Sequence, residues 1–412
     1  MIQLLPVRLF IVFGISLLVA TQINRAIYRL AWNPRHIGPW SPPHPDSPPR
    51  TARDRIPIFG WLGLNRESTV HGRGFWVRPC LLEIGFPLAM MALYIFEVEE
   101  NGLMPLGFAS PSTAILHTQF CSHFVLCSLM TVATFIDFDE KIIPDEITIP
   151  GTLIGMLFAT FSPFSLLPTW DFGFAPNTQP LWLTSPSAWH ASLNQTTGLV
   201  IGIASLAAWA YAVMPKTLWY RGGVVKFWRY LLASLTRHKV NRWVFVGFLV
   251  LSTLTTWVWW RGGLAWQGLL TSIIGMVGGG AVVWSIRLIA GVVMQREAMG
   301  FGDVTLLGMI GSFLGWQSAV VIFFLAPFTA IVLVLIIWLM TRHTEIAFGP
   351  YLCAGTIVLL IGWPSIWDRW GLVLASFGPQ IALLFGVVLL LLAVSLLMVQ
   401  GLKRMFFGTE TP

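Results

Sequence analysis

Two short acidic segments carry the residues whose types and spacing could do chemistry. The first is FIDFDEKIIPDEITIPG and the second is REAMGFGDVTLLGMIG. The chain has only 18 aspartates and glutamates in 412 residues, so their clustering beside apolar runs is informative. An ionisable side chain at membrane depth costs roughly 2.5 to 3.5 kcal/mol and therefore marks a functional site by default. The acids of the two segments are Asp137, Asp139, Glu140, Asp145, Glu146, Glu297 and Asp303.

Asp137 and Asp303 could form the acid and base pair of an aspartic protease. They are 166 positions apart (303 − 137), but each stands at the end of an apolar run. Two carboxyl groups brought together cannot both ionise cheaply, so one keeps a proton while the other draws a proton from water. Gly300 and Gly302 lack a Cβ, which permits a helix break before Asp303 and a close approach of an extended substrate backbone.

The composition places these residues in a membrane protein. Hydrophobic residues make up 56% of the chain and charged residues only 10%, with a mean hydropathy of +0.73. A soluble protein would carry roughly 25% charged residues, so a water-facing surface is excluded, as are intrinsic disorder and a coiled coil. The net charge of +7 is expected to face one side of a bilayer rather than a nucleic acid.

The apolar runs predict about eleven membrane-spanning helices. Their approximate positions are 4–22, 81–97, 113–136, 147–166, 195–213, 243–260, 266–290, 304–316, 318–340, 351–363 and 378–400. Alternate threading puts the nine arginines of 25–78 and the basic stretch 214–242 on one side, which the positive-inside rule makes cytoplasmic. The predicted fold is an all-α polytopic helical bundle, with its N-terminus outside, its C-terminus cytoplasmic and both acidic segments facing the cytoplasm.

The chain divides into six segments on this plan. They are a first transmembrane anchor at 1–24, a cytoplasmic Arg/Pro-rich loop at 25–80, a membrane region with the first Asp motif at 81–167, an insertion at 168–262, a membrane region with GFGD at 263–363, and an extra C-terminal span and tail at 364–412. The stretch 164–194 has no lysine or arginine and is predicted to be external. The stretch 224–238 predicts either an interfacial helix or a solvated basic loop.

The cytoplasmic loop shows no recognisable metal site. A structural zinc needs four well-placed ligands, whereas His36, His44 and His71 have no ligand spacing and the four cysteines of the chain form no CxxC pair. We therefore expect a metal-free loop and no cofactor. Its own turns and side-chain packing should hold it; the packing residues are predicted to be Ile56, Ile58, Phe59 and Trp61.

In combination, the two acidic motifs resemble those of the bacterial type IV prepilin peptidases, the GxGD membrane aspartic proteases. AFGPYL at 347–352 resembles the FGPFL segment of that family, and RIPIFGWLGLN with RPCLLE resembles its cytoplasmic loop. The resemblance implies that Asp137 and Asp303 are catalytic, supported by Gly300 and Gly302. It makes Lys141, Pro144 and Asp145 flanking site positions, and Asp139, Glu140 and Glu146 solvated loop acids.

The chain departs from the family pattern in three ways. The paired CxxC motifs are missing, and Thr305 stands where a lysine commonly follows GxGD. Four predicted helices separate the motifs where the family has two, so 168–262 looks like an insertion of two spans and a basic loop. Members with the CxxC pairs also methylate the new N-terminus with S-adenosylmethionine, and the missing motifs leave that activity an open question here.

The resemblance implies a leader peptidase of the bacterial cytoplasmic membrane. Its substrates would be type IV prepilins or type II secretion pseudopilins, and its surroundings the lipid bilayer. Two alternatives stay open: an ion-coupled transporter, and an inactive homologue that serves as an assembly platform for a pilus or secretion apparatus. The retained aspartates favour the peptidase.

Overall fold

The computed structural model describes residues 4–105, 111–170, 178–214, 229, 233–294, 299–341, 347–377 and 380–407. The stretch 224–238 lies for the most part outside these residues. In sequence order the helices are α1 Leu5–Arg29, α2 Phe59–Leu64, α3 Ser68–His71, α4 Val77–Tyr94, α5 Thr113–Glu140, α6 Asp145–Phe161, α7 Thr196–Val213, α8 Lys239–Arg261, α9 Gly263–Met294, α10 Phe301–Leu314, α11 Trp316–Thr341, α12 Gly349–Phe377 and α13 Gln380–Phe407. Two short strands, β1 Pro168–Trp170 and β2 Thr178–Pro180, pair antiparallel.

The predicted apolar runs coincide with the long helices of the structure. Each of the eleven runs lies largely within one of α1, α4 to α13, so the all-α polytopic fold is confirmed. Among the residues that the structure describes, eight helices are long and apolar enough to cross a membrane. The total number of crossings and their orientation stay predictions. Helix α12 continues past the predicted run 351–363 to Phe377, and α13, which begins at Gln380, covers the run predicted at 378–400.

Contacts at the helix ends show that the two aspartates lie at one end of the bundle. At the opposite end Arg8, near the start of α1, pairs with Glu99 at 2.7 Å. At the near end Asn24 of α1 donates to the Pro79 carbonyl of α4 at 3.0 Å, and Arg78 of α4 pairs with Asp139, two residues from Asp137, at 2.6 Å. We call the end that holds Asp137 and Asp303 the aspartate end. In the predicted topology it is the cytoplasmic one.

Helix α10, which carries Asp303 in its first turn, is buried from Asp303 to its last residue. It packs closely on α9 where Gly275 and Gly311 face each other: a Cβ on either glycine would lie within 3 Å of the other's carbonyl group. Membrane helices use such small residues to let their backbones approach, since lipid supplies no hydrophobic drive for association. This contact fixes the depth at which Asp303 lies.

The opposite end of α10 is covered by the segment around the strands. Fourteen residues rise only about 21 Å, less than the roughly 30 Å hydrocarbon core, so α10 ends below the membrane surface. There Gln317 donates to the Trp182 carbonyl at 2.8 Å, and Trp363 donates to the Pro168 carbonyl at 2.7 Å. The sequence predicts that the stretch 164–194 is external. The described parts of that stretch, 164–170 and 178–194, form a cap anchored on α11 and α12.

The segment between α1 and α4 is more ordered than the predicted polar loop. Glu67 is fully buried and accepts two hydrogen bonds from Arg50, at 2.9 and 3.0 Å. Arg66 pairs with Asp54 at 2.6 Å, and its guanidinium holds the pKa of that buried carboxyl below its ordinary value. Charges of this kind are tolerated in an interior only when paired, so the two ion pairs hold the segment's own turns together.

The predicted packing of this segment is partly wrong. Trp61 is buried and donates to Glu83 of α4 at 2.9 Å, and Ile58 packs against it. Phe59 and Ile56, however, are 68% and 49% exposed. Phe59 lies two positions from Trp61 in α2, on roughly the opposite face of the helix, so only one of the two can face α4.

A buried hydrogen bond between a histidine and a glutamate joins α4 to α5 inside the bundle. His123 and Glu97 are 0% and 1% exposed, and their Nδ1 and Oε1 atoms are 2.8 Å apart. Glu97 lies on a π turn, Ile95–Glu99, that continues α4. Along α5 the histidine is 14 residues, about 21 Å, from Asp137. The pair is therefore separate from the aspartate end.

The glycine contact between α9 and α10 yields a stability prediction. We expect Gly275→Ala to lower the free energy of unfolding by about 1 to 3 kcal/mol, because the new methyl group meets the Gly311 backbone. The matched control is Gly291→Ala on the same helix, where a Cβ meets open space. Thermal unfolding of the purified chains in detergent, followed by tryptophan fluorescence, measures both. Equal melting temperatures for the two variants would contradict the proposed contact.

Candidate active site

A cleft of about 590 Å³ opens at the aspartate end of the bundle. Its walls come from the turn between α5 and α6, the start of α10 and the start of α12. The lining includes Asp137, Lys141, Ile143, Asp145, Gly300, Phe301, Gly302, Asp303 and Phe348. The two aspartates that the sequence singles out therefore meet in one place, although 166 positions separate them (303 − 137).

Asp137 lies in the last turn of α5 and is only 4% exposed. Lys141 ends that helix in the left-handed conformation, and its N–H closes the last turn on the Asp137 carbonyl at 2.8 Å. The Asp137 carboxylate accepts a hydrogen bond of 3.0 Å from the N–H of Gly349, the first residue of α12. The positive end of the α12 dipole thus faces this carboxylate and favours its ionised form.

Asp303 is the third residue of α10 and is 7% exposed. It accepts a backbone hydrogen bond from Gly300, which precedes the helix, so it too lies at a helix N-terminus. Asp137 and Arg287 are both near enough to act on its charge, the first by repulsion and the second by attraction. The Arg287 guanidinium lies over the Phe301 ring, 5.6 Å from its centroid. Arg287 of α9 is thus a cation close to the pair of aspartates.

The glycines before Asp303 act as the sequence predicts at one position and differently at the other. Gly300 has an extended backbone and lies immediately before α10, so it is the predicted helix break. Gly302 is needed for close approach within the protein: a Cβ there would lie within about 3.3 Å of the Ile143 backbone and side chain. This contact brings the start of α10 against the turn after α5, and so brings the two aspartate segments together.

Of the three flanking positions, two line the cleft and one supports the start of α6. Lys141 and Asp145 line the cleft. Pro144 is buried just before α6, and its carbonyl accepts hydrogen bonds from Ile147 and Thr148. Its fixed φ suits the start of a helix, so its part here is structural.

Two acids predicted to be solvated also link the end of α5 to neighbouring segments. Asp139 accepts two hydrogen bonds from Arg78 of α4, at 2.6 and 2.8 Å. Glu140 accepts from the backbone N–H groups of Trp32 and Asn33, beyond the end of α1. Neither residue lines the cleft, so the prediction that they are not catalysts is consistent with their positions. Asp139 is exposed, and both acids also hold the end of α5 to neighbouring segments.

Sequence reasoning missed Gly349 and Arg287 as site residues. The signal for Gly349 was the AFGPYL string at 347–352, whose role no local pattern reveals. Arg287 lies inside an apolar run, where a single charge could have been noticed. Thr305, which replaces the common lysine, is 1% exposed and donates to the Gly302 carbonyl at 3.0 Å, so its side chain faces the protein interior.

The close contact at Gly349 yields a prediction about the site. A Cβ on Gly349 would lie within 3 Å of the Asp137 carboxylate, so Gly349→Ala should displace that group. We expect the predicted peptidase activity to fall at least about 10-fold, equivalent to about 1.4 kcal/mol of barrier. Gly362→Ala on the same helix is the matched control, because a Cβ there makes only ordinary contacts. Initial rates at equal protein abundance measure the effect; full activity of Gly349→Ala would contradict the geometry.

Comparison with known proteins supports the same reading. The family described as "Type IV leader peptidase family" matches residues 124–184 and 235–335, which leaves α7 in the unmatched interval 185–234. The Prepilin leader peptidase/N-methyltransferase of Escherichia coli (strain K12) is 30% identical over 188 residues, 43% of this chain and 78% of that protein. The protein of the same name from Stutzerimonas stutzeri is 28% identical over 275 residues, 58% of this chain and 91% of that protein.

Other relatives match over a shorter stretch. The Prepilin leader peptidase/N-methyltransferase of Aeromonas salmonicida (strain A449) is 33% identical over 122 residues, 26% of this chain. The chain spans about two fifths of the length of that relative, 41%. No solved structure matches. The helical fold and the extent of the Escherichia coli match together show that the chain belongs to the type IV leader peptidase family.

Proposed function

We propose that this chain is a membrane aspartic endopeptidase that removes the leader peptide of type IV prepilins or type II secretion pseudopilins. The names of its relatives describe prepilin leader peptidases, and this chain belongs to their family. Cleavage takes place at the cytoplasmic face of the bacterial inner membrane, the side to which the positive-inside rule assigns the aspartate end.

The observation that carries this proposal is the meeting of Asp137 and Asp303 in one cleft. Both carboxyl groups are more than nine-tenths buried, and each accepts a backbone hydrogen bond near a helix start. A structural acid inside a membrane protein needs one partner of opposite charge, whereas here two acids face each other across a space of about 590 Å³. That arrangement suits a shared proton and an attacking water.

The two carboxyl groups divide the work of peptide hydrolysis between them. The ionised group takes a proton from water as the water oxygen bonds to the scissile carbonyl carbon, and the protonated group gives its proton to the carbonyl oxygen. The tetrahedral intermediate then collapses as a proton passes to the leaving nitrogen and the C–N bond breaks. The helix N-termini behind both carboxyl groups stabilise whichever one is ionised.

The alternatives make different demands on the structure. Ion-coupled transport could use the buried Glu97–His123 pair, which lies about 21 Å along α5 from Asp137. An inactive assembly platform would need neither aspartate. Only a peptidase depends on both acids at the aspartate end, so their replacement discriminates among the three.

We expect Asp137→Asn and Asp303→Asn each to lower leader cleavage at least about 100-fold, because Asn keeps the size but cannot exchange the proton. The matched control is Asp46→Asn, the same change in an exposed loop residue outside the cleft. Cleavage of a prepilin in membranes, normalised to the abundance of the enzyme, is measured by gel shift and mass spectrometry. Substantial cleavage by either cleft variant would refute the assignment.

The residues of the loop do not fit the zinc site of family members with paired CxxC motifs. Cys80 is the one cysteine near the segment, and the interior is filled by Trp61, Leu64 and two ion pairs. Across the residues that the structure describes, no three His, Cys, Asp or Glu side chains converge on a position that could hold a metal ion. S-adenosylmethionine use is a separate matter, since zinc need not take part in methyl transfer.

We expect chelators to leave both cleavage and the melting temperature unchanged, because paired charges replace metal–thiolate bonds in this loop. Prepilin cleavage with and without EDTA or phenanthroline measures the first, and fluorescence melting in detergent the second. Elemental analysis that finds about one zinc per purified chain would overturn the metal-free assignment. Mass spectrometry of the cleaved product with S-adenosylmethionine present decides methylation independently.

A further inference from the structure

An apolar groove of about 470 Å³ lies between α6 and α8, beside the active-site cleft. Its walls include Ile149, Leu153 and Met156 of α6 and Trp243 and Val250 of α8. Its floor is formed by α7 and by Met276 of α9. Helix α8 packs against α7 and α9 but is among the least buried of the apolar helices. The groove is therefore open toward the space that lipid occupies.

The groove continues the active-site cleft along one face of α6. Asp145, the first residue of α6, lines the cleft. Ile149, Leu153 and Met156 follow it at spacings of four, eight and eleven residues, which places all of them on the same helical stripe. Eleven residues rise about 16 Å, or three helical turns, which is half of the hydrocarbon core. A chain leaving the cleft toward the membrane would follow this stripe.

We propose that this groove holds the apolar helix that follows the scissile bond of the substrate. The inference rests on the proposed function, since it takes the substrate to be a prepilin with a cationic leader and an apolar segment. A helix docked in a groove three turns long presents side chains at i, i+3 or i+4, and i+7. Apolarity alone gives no affinity within a lipid bilayer, so the shape of the groove must select the helix.

Charge at the mouth of the groove favours a peptide over a lipid on the α6 side. Asp145 and Glu146 are exposed there, and they attract a cationic leader and repel a lipid phosphate. Lys239 and Arg242 begin the opposite wall, on α8, away from the scissile position. The mouth therefore orients the substrate with its leader beside the aspartates and its apolar helix below them.

Helix α7 makes the groove a feature of this chain in particular. It contributes Leu206, Trp209 and Val213 to the lining, and it lies in the interval 185–234 that the family does not match. Trp209 also fills the space beside Gly280 and Gly308, which locks α7 against α9 and α10. Helix α7 thus helps to determine substrate specificity, because its side chains shape the surface against which the substrate helix packs.

Gly247 of α8 offers a direct way to block the groove. It lines the groove, and a Cβ added there meets nothing within 4 Å, so Gly247→Leu fills the groove without a backbone clash. The matched control is Gly14→Leu in α1, also a membrane helix, where a Cβ likewise meets open space. Two substrates are compared: a full prepilin, and a peptide that ends shortly after the scissile bond and so lacks the apolar helix.

We expect Gly247→Leu to lower kcat/KM for the full prepilin at least about 10-fold, chiefly through KM, and to leave cleavage of the truncated peptide unchanged. Gly14→Leu should match the wild type on both substrates. Wild-type cleavage of the full prepilin by Gly247→Leu would overturn the proposal. Equal losses on both substrates would also count against it, since they would show damage to the cleft rather than to a groove.

Photocrosslinking separates the substrate from a lipid as the occupant. Benzoylphenylalanine replaces Val250 in the groove or, as control, Leu18 on the exposed face of α1, both in the full chain with Asp137→Asn. We expect an adduct with full-length prepilin at 250 and none at 18. Lipid adducts alone at 250, in an enzyme whose wild type cleaves prepilin, would overturn the groove while leaving the proposed function intact. A wild type that cleaves no prepilin would instead refute the proposed function, and the groove assignment with it.

Discussion

The carboxyl groups of Asp137 and Asp303 are almost completely buried at one end of a membrane helix bundle. The need to stabilise them in that position constrains much of the surrounding structure. Burying a carboxylate is costly unless hydrogen bonds replace its hydration. The protein supplies these bonds from two helix starts: Gly349 at the start of α12 for Asp137, and Gly300 just before Asp303's own helix α10 for Asp303. Each acid therefore depends on a helix N-terminus arriving at the right depth, and that depth is set elsewhere.

The depth of Asp303 is set by backbone contact rather than by large side chains. Gly275 and Gly311 let α9 and α10 approach until each glycine has no room for a Cβ beside the other's carbonyl group, and Gly302 lets the start of α10 touch the turn after α5. Because α10 is shorter than the bilayer core, the cap formed by the strand segment must descend to cover its far end. The cap, the glycines and the cleft are thus parts of one arrangement that fixes where a water molecule can reach a peptide bond.

The segment between α1 and α4 is a loop at the aspartate end that is ordered by charged and polar side chains. Two buried ion pairs and the Glu83–Trp61 hydrogen bond link its turns to each other and to α4. The Asp139–Arg78 pair ties α4 to the end of α5 that carries Asp137. Removing one member of a buried pair typically costs about 3 to 5 kcal/mol, so this charge network can hold a loop that has no cysteine cluster.

The sequence by itself determined the long helices, the membrane setting and the two aspartates. These follow from local properties: a bilayer requires about 20 apolar residues per span, and an acid in such a chain stands out wherever it occurs. The tertiary structure decided what depends on distant partners. Gly349 lies 212 positions from the carboxylate to which it donates, and no local pattern reveals that bond. Phe59 and Trp61 are both large and apolar, yet only the position of Glu83 on α4 determined which of them is buried. Likewise the cap formed by 164–170 and 178–194 exists because α10 is short and must be covered, a requirement set by the packing of the bundle and not by the cap's own residues.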